Sequence, residues 1–151
     1  MRQLSGQEVA AYVDELIHEE TQIQDDRVDL TVMAIFELNE PGRLDFGGSE
    51  FESARTEKIA PVKESADDDY GWWKLPEQSY RVTFNEDIRQ TVEAGTPLIL
   101  PHDHLIQAGA QLESTVPDPQ NPQVHPTLAV GSHGIHIKEN ARIASLIILS
   151  D

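Results

Sequence analysis

From Val28 onward the apolar side chains fall on every second residue: Val28, Leu30, Val32, Ala34, Phe36 and Leu38 alternate with mostly polar neighbours. A period of two is what a strand with one buried face requires, because successive side chains point to opposite faces of the sheet. Further short strands are expected at 43–46, 58–62, 72–75, 80–84, 97–100, 112–115, 127–130, 135–138 and 142–149. Turn-forming residues separate them at short intervals, which predicts an all-β sandwich or barrel. Asn39-Glu40-Pro41-Gly42 closes the first strand, with Pro41 and Gly42 suited to the middle of a type II turn. Ahead of the strands, residues 5–20 read as one helix. Ser5 and Glu8 form a capping box, and Val9, Val13, Leu16 and Ile17 line one face at steps of three and four.

Length and composition set the outer bounds. A chain of 151 residues suits a single domain over 1–151, and 38% hydrophobic residues are enough for an ordinary core. No apolar run approaches the ~18 residues of a membrane span; Leu146 to Leu149, for example, is only four residues long. With no basic-then-apolar leader at the start, a cytoplasmic location is the expectation. The absence of cysteine excludes disulfides, thiolate metal sites and cysteine nucleophiles.

Charge is the unusual quantity: 27 acidic against 11 basic residues give a net −16. Such a surface repels nucleic-acid backbones and anionic lipid, so neither nucleic acid nor membrane is an expected partner. A nucleotide triphosphate would need a divalent metal to screen it. The excess acid reads as adaptation to molar salt, which predicts an extreme halophile as the source; an acidic surface for a basic partner is the other reading. Two stretches read as loops: 65–71, with Asp67-Asp68-Asp69, and 117–126, where prolines 117, 119, 122 and 126 rule out an internal strand.

Four segments, in order, carry a resemblance. Leu4-Ser5 opens a short helix. Ile23-Gln24-Asp25-Asp26-Arg27-Val28-Asp29-Leu30 looks like the signature I-Q-P-x-S-V-D-L. Tyr80 to Glu86, then Pro101, Leu105 and Gly109-Ala110, resemble the region around P-R-S-S-L-x-x-x-G-A. Gly134 to Ala144 looks like a closing strand pair, G-I-x-(I/L)-x-x-N-A-R-(I/V)-A-Q-L. Together they resemble the superfamily of trimeric dUTP pyrophosphatases and dCTP deaminases. The resemblance implies a distorted jelly-roll β-barrel of the dUTPase-like β-clip type. It also implies a homotrimer with sites between subunits, a deoxynucleoside triphosphate ligand, and Mg2+.

Hydrolysis of dUTP between its α- and β-phosphates requires charge stabilisation and an oriented water; deamination of dCTP requires a carboxylate that activates water. Asp29 stands where the family keeps an aspartate near the metal or sugar, and it reads either as a Mg2+ contact or as a structural carboxylate. Asp118 survives from the motif D-P-G-(Y/F)-x-G as a candidate water-orienting acid. Arg142 and Lys138, the cations retained in a matching segment, are candidate nucleotide- or phosphate-binding residues, together with Gln24 of the matching signature and His102 and His104. The departures are large. His102-Asp103-His104 replaces R-S-S, so these positions offer no bidentate grip on phosphate, and Asp103 reads as a cap for a helical turn at 105–108 ended by Gly109. Ala129 sits about where the deaminases hold their glutamate and Ser145 replaces the nucleotide-contacting glutamine, and a glycine-rich tail closing over a bound triphosphate is not expected from the sequence up to Asp151.

Three readings follow. One is a Mg-dependent deoxynucleoside triphosphate pyrophosphatase using Asp29, Asp118 and Arg142. Another is a catalytically degenerate homotrimer that binds a nucleotide or a partner. The third is a zinc or nickel site built from His102, His104, His133, His136 and Asp103.

Overall fold

The computed structural model describes residues 1–122 and 125–151. In chain order its elements are β1 (Arg2–Gln3), α1 (Gly6–Ala10), β2 (Val13–Asp14), α2 (Glu19–Gln22), β3 (Val28–Glu40), β4 (Arg55–Lys58), β5 (Trp72–Leu75), β6 (Ser79–Phe84) and β7 (Asp87–Ile88). There follow β8 (Thr96–Pro101), α3 (Asp103–Ala108), β9 (Ala110–Leu112), β10 (Thr127–Val130), β11 (Ile135–Lys138) and β12 (Arg142–Ser150). This is the expected all-β, jelly-roll-like architecture. One curled antiparallel sheet runs β1-β12-β3-β6-β10-β9, with β4 added to β3 and β8 to β12. Two small sheets, β11-β5 and β2-β7, complete it.

β3 is the spine, because its first half pairs with β12 and its second half with β6. Its residues Val28 to Val32 are buried on both faces, so the alternation visible in the sequence understates how deep this strand lies. Val28, Leu30, Val32 and Ile35 meet Tyr80 and Val82 of β6, Leu128 of β10 and Leu146 and Ile148 of β12 in one core. Buried polar atoms are tied off: Trp73 Nε1 donates to Ile59 O at 2.8 Å and Tyr80 OH to Pro76 O at 2.9 Å. Among the described residues no helix is long and apolar enough to cross a membrane.

The helix expected over 5–20 is three pieces instead. The capping box forms, with Glu8 N donating to Ser5 Oγ and Ser5 N to Glu8 Oε1, but α1 ends at Ala10. Val13 then pairs with Ile88, and Glu15 sits at φ 66, a left-handed conformation that no α-helix contains. Gln22 Oε1 accepts from the amides of Ile17 and His18 at 2.7 and 2.8 Å, holding this stretch out of helix. Ile17 is 53% exposed, so the apolar stripe was only half used.

Smaller differences have similar causes. β3 runs on through Asn39 and Glu40, and Gly42 is not among the glycines at positive φ, so the type II turn does not form. Gly42 is there for contact, since a Cβ on it would lie 2.5 Å from Glu52 O. The strand expected at 43–46 shrinks to one bridge between Arg43 and Glu52, and the strand at 58–62 moves to β4, with Val62 bridging Trp72. The strand at 112–115 starts earlier as β9, while Thr115 bridges Ile99. His102, not Asp103, caps α3, and Gly109 closes it at φ 112. The described parts of 65–71 and 117–126 contain no strand; of the proline-rich stretch, residues 123 and 124 lie outside the described residues.

Candidate functional site

Asp29 lies in β3 directly opposite Ser145 of β12, while Arg142 stands opposite Thr31. Residues 142 and 145 differ in parity, so a regular strand would point them to opposite faces. The register shift between Arg142 and Ala144 corrects this by one residue, as a bulge does, and brings both onto Asp29. Ser145 Oγ donates to Asp29 Oδ1 at 2.9 Å, and Arg142 Nη1 donates to Oδ2 at 3.0 Å. A third donor comes from the junction of β8 and α3, where His102 N is fixed to Ile143 O. His102 Nε2 lies 3.2 Å from Asp29 Oδ2, and its Nδ1 accepts the His104 amide at 3.0 Å. An Nδ1 that accepts carries no proton, so the neutral ring holds its proton on Nε2 and donates it to Asp29.

Asp29 is 2% exposed and its carboxylate is met by three donors, one of them a guanidinium. Magnesium does not fit here: the ion would have to displace Arg142 or His102 from a carboxylate that solvent barely reaches. Nor is this a hydrolytic triad, although serine, histidine and aspartate are all present. Ser145 and His102 both donate to the acid on separate oxygens, and no bond joins the two. Arg142 is the member that can still act outward. Nη1 makes both of its bonds, to Asp29 and to Thr21 O at 3.4 Å, and the side chain is 32% exposed, beside a groove of about 240 Å³. Nη2 and Nε have no partner among the described residues and are available to an oxyanion.

A second buried acid supports this cluster from behind. Glu86 Oε1 accepts from Thr31 N at 2.7 Å, and Oε2 accepts from Thr31 Oγ1 at 2.5 Å and Gln22 Nε2 at 2.9 Å. The same Gln22 nitrogen donates to Asp29 O. Asn85 Nδ2 reaches Thr31 Oγ1, Val32 O and Asn140 Oδ1. Nothing in the sequence singled out Gln22 or Thr31, and Asn140 stood in the closing motif without a role. Asn85 and Glu86, an amide and an acid closing an apolar strand, sat inside a quoted motif without a role.

The other expected site residues lie apart. Asp118 is exposed and its Oδ1 accepts from Gln120 N at 2.9 Å. It lines one groove with Thr83, Glu86 and His125, and another with Arg89 and Asp151, but shares neither a hydrogen bond nor a groove with Asp29 among the described residues. Lys138 lies over the Trp72 ring at 5.7 Å. Gln24 Nε2 donates to Thr21 O and its amide to Arg27 O, which makes it a turn residue within this chain. His104 is exposed, its ring 4.8 Å from that of His102. The histidine metal site does not assemble: among the described residues no three His, Asp or Glu side chains are grouped to hold an ion, and both His102 nitrogens are engaged.

No family model matches the chain. It is similar to the probable deoxyuridine 5'-triphosphate nucleotidohydrolase of Methanosarcina acetivorans, at 32% identity over 130 residues, 85% of this chain and 72% of that protein. The protein of the same name from Methanosarcina mazei is 31% identical over 137 residues, 89% and 76% of the two chains. The one from Archaeoglobus fulgidus is 29% identical over 157 residues, 99% and 88%.

Proposed function

The chain belongs to the deoxyuridine 5'-triphosphate nucleotidohydrolase family, and on that premise we propose that it is a dUTPase-like protein that hydrolyses dUTP to dUMP and pyrophosphate. The carrying observation is identity above 30% along 85% and 89% of the chain to two such proteins. Ala129, where the resemblance puts the deaminase glutamate, speaks for dUTP rather than dCTP as the substrate.

Arg142 would take a phosphate oxygen through its free donors. Asp29 is then a positioning residue that fixes the guanidinium, helped by His102 and Ser145. Because Asp29 is closed to metal, any Mg2+ would arrive on the triphosphate. Asp118 is the acid that would orient water, and its separation from Asp29 supports a homotrimer in which one subunit's Asp118 meets the next subunit's Arg142. Lys138, His104 and Gln24 would contribute only across such an interface. The closed carboxylate favours one competing reading, a degenerate scaffold that binds nucleotide without turnover.

The test is product analysis with dUTP and dCTP, with magnesium, in molar KCl. Asp118→Asn and Arg142→Gln should each abolish dUMP release. Refolded together at equal amounts they should regain roughly a quarter of the wild-type rate, the fraction of sites built from two intact halves. No turnover from folded wild-type protein would leave the scaffold reading. Turnover with no recovery on mixing would place both residues in one subunit's site.

A further inference from the structure

The chain has seven arginines, and the structure sorts them sharply. Five are engaged with an acid: Arg2 with Glu8, Arg27 with Asp26, Arg55 with Glu40, Arg89 with Asp14 and Arg142 with Asp29. In a protein with 27 acidic residues that is the expected state of an arginine. Arg43 and Arg81 are the exceptions, with no carboxylate oxygen within 4.0 Å among the described residues. Both line the same groove, of about 520 Å³.

The placement of Arg81 follows from register. Phe36 of β3, Arg81 of β6 and Thr127 of β10 are directly paired, and Glu113 N bonds to Thr127 O just beyond β9. This row crosses the sheet, and the 42–54 excursion folds over it, bringing Arg43 and Phe51. Arg81 is half-buried, and its Nε is a buried donor with no hydrogen-bond partner among the described residues. Native structures leave few such donors orphaned, least of all on a charged group. Glu52 and Glu113 also line the groove, and among the described residues neither is paired with a guanidinium, which leaves each able to accept from a ligand donor. His125, at the same wall, has its pKa pushed down by burial and then by the charge of Arg81, both of which favour the neutral ring.

We propose that this groove is an oxyanion-binding site in which Arg81 and Arg43 grip the phosphoryl group of a small organic phosphate. Two forked guanidiniums suit a doubly charged tetrahedral group. The groove exceeds what a bare phosphate fills, and the ring of Phe51 and the carboxylate of Glu113 suit a flat, donor-bearing organic moiety. The site stands independently of the hydrolytic reading, since it involves neither Asp29 nor Arg142.

The test is an NMR titration of the intact protein with inorganic pyrophosphate at fixed ionic strength, following the histidine ring signals, with malonate as the carboxylate arm. Pyrophosphate should move His125, and Arg81→Gln should weaken the response about tenfold or more. Arg43 is exposed, so Arg43→Gln should weaken binding with the fold intact, which covers the case in which the Arg81 variant fails to fold. Arg81→Lys should recover binding only in part, because the fork is lost. Movement of His102 without His125 would assign phosphate to the Asp29–Arg142 cluster and overturn the proposal. So would a silent His125, an unchanged response in Arg43→Gln, or a response to malonate but not to pyrophosphate.

Discussion

Arg142→Gln measures how much of the fold rests on the Asp29 cluster. The substitution leaves a 2% exposed carboxylate without its cation. Removing one partner of a fully buried pair costs about 3–5 kcal/mol. Two features reduce that here: the Arg142 side chain is 32% exposed, and Asp29 keeps Ser145 and His102 as donors. The expected loss is therefore about 2 kcal/mol, or about 4–8 °C in Tm for a chain of this length. Urea and thermal unfolding should be followed at one protein concentration, because assembly would otherwise shift the midpoint. Molar KCl should not remove the effect, since a buried pair is weakly screened, whereas exposed pairs such as Arg55–Glu40 should fade. In Asp29→Asn the buried charge is gone and the amide can turn its NH2 to the Ser145 hydroxyl, so losing Arg142 as well no longer leaves a carboxylate without its cation. The two changes should thus be non-additive by about 1 kcal/mol or more. A loss below about 0.5 kcal/mol for Arg142→Gln, or strict additivity, would refute the argument.

Glu8 should titrate at about 2 rather than 4.5, held down by its bond to the Arg2 guanidinium and then by the Ser5 amide. Its contribution is complete above its ordinary pKa and is lost as pH falls from 4.5 toward about 2, so an NMR titration should show a low midpoint that rises in Arg2→Ala. Gly6→Ala should give little folded protein by near-UV circular dichroism. Its Cβ would sit 1.7 Å from Gln24 O, with Gly6 N already bound to Asp25 O, a backbone clash worth about 4 kcal/mol or more. Glu86→Gln puts an amide where an acid accepts three donors, so one is left unmet, and chemical denaturation should show a loss of about 1–3 kcal/mol.

The strands were legible from their alternation of apolar and polar residue types, even where both faces are buried. In β3, Asp29 and Thr31 break the apolar run and so reveal the period of two, although Val28 to Val32 are buried throughout and both polar side chains are held by hydrogen bonds rather than by water. The first helix was over-read for the same reason. Val9 and Val13 at a spacing of four fit a helix, yet the second of them belongs to a strand pair formed with Ile88, far along the chain. Local pattern cannot report a non-local partner. The candidate site shows the same division. Asp29 and Arg142 were visible as motif positions, but the parity correction in β12 depends on one inserted residue, which no residue type announces. Gln22 and Glu86 were overlooked because a buried amide and a buried acid are recognisable only once their partners are in place.

The departures in the middle motif gain a physical meaning from this arrangement. With His102, Asp103 and His104 in place, an arginine-serine-serine phosphate grip is replaced by a ring whose two nitrogens both work inside the protein, one capping α3 and one reaching Asp29. Ser145, short enough to bond the acid directly opposite it, adds the remaining donor. The result is a carboxylate neutralised internally by Arg142, unlike the many surface acids that must rely on solvent ions. In a chain of net charge −16 such closure has a use. An open buried carboxylate would compete for every cation around it, whereas this one leaves Arg142 anchored with its remaining donors pointing outward. What the middle motif gave up in cationic grip then falls to Arg142, whose Nη2 and Nε have no partner among the described residues.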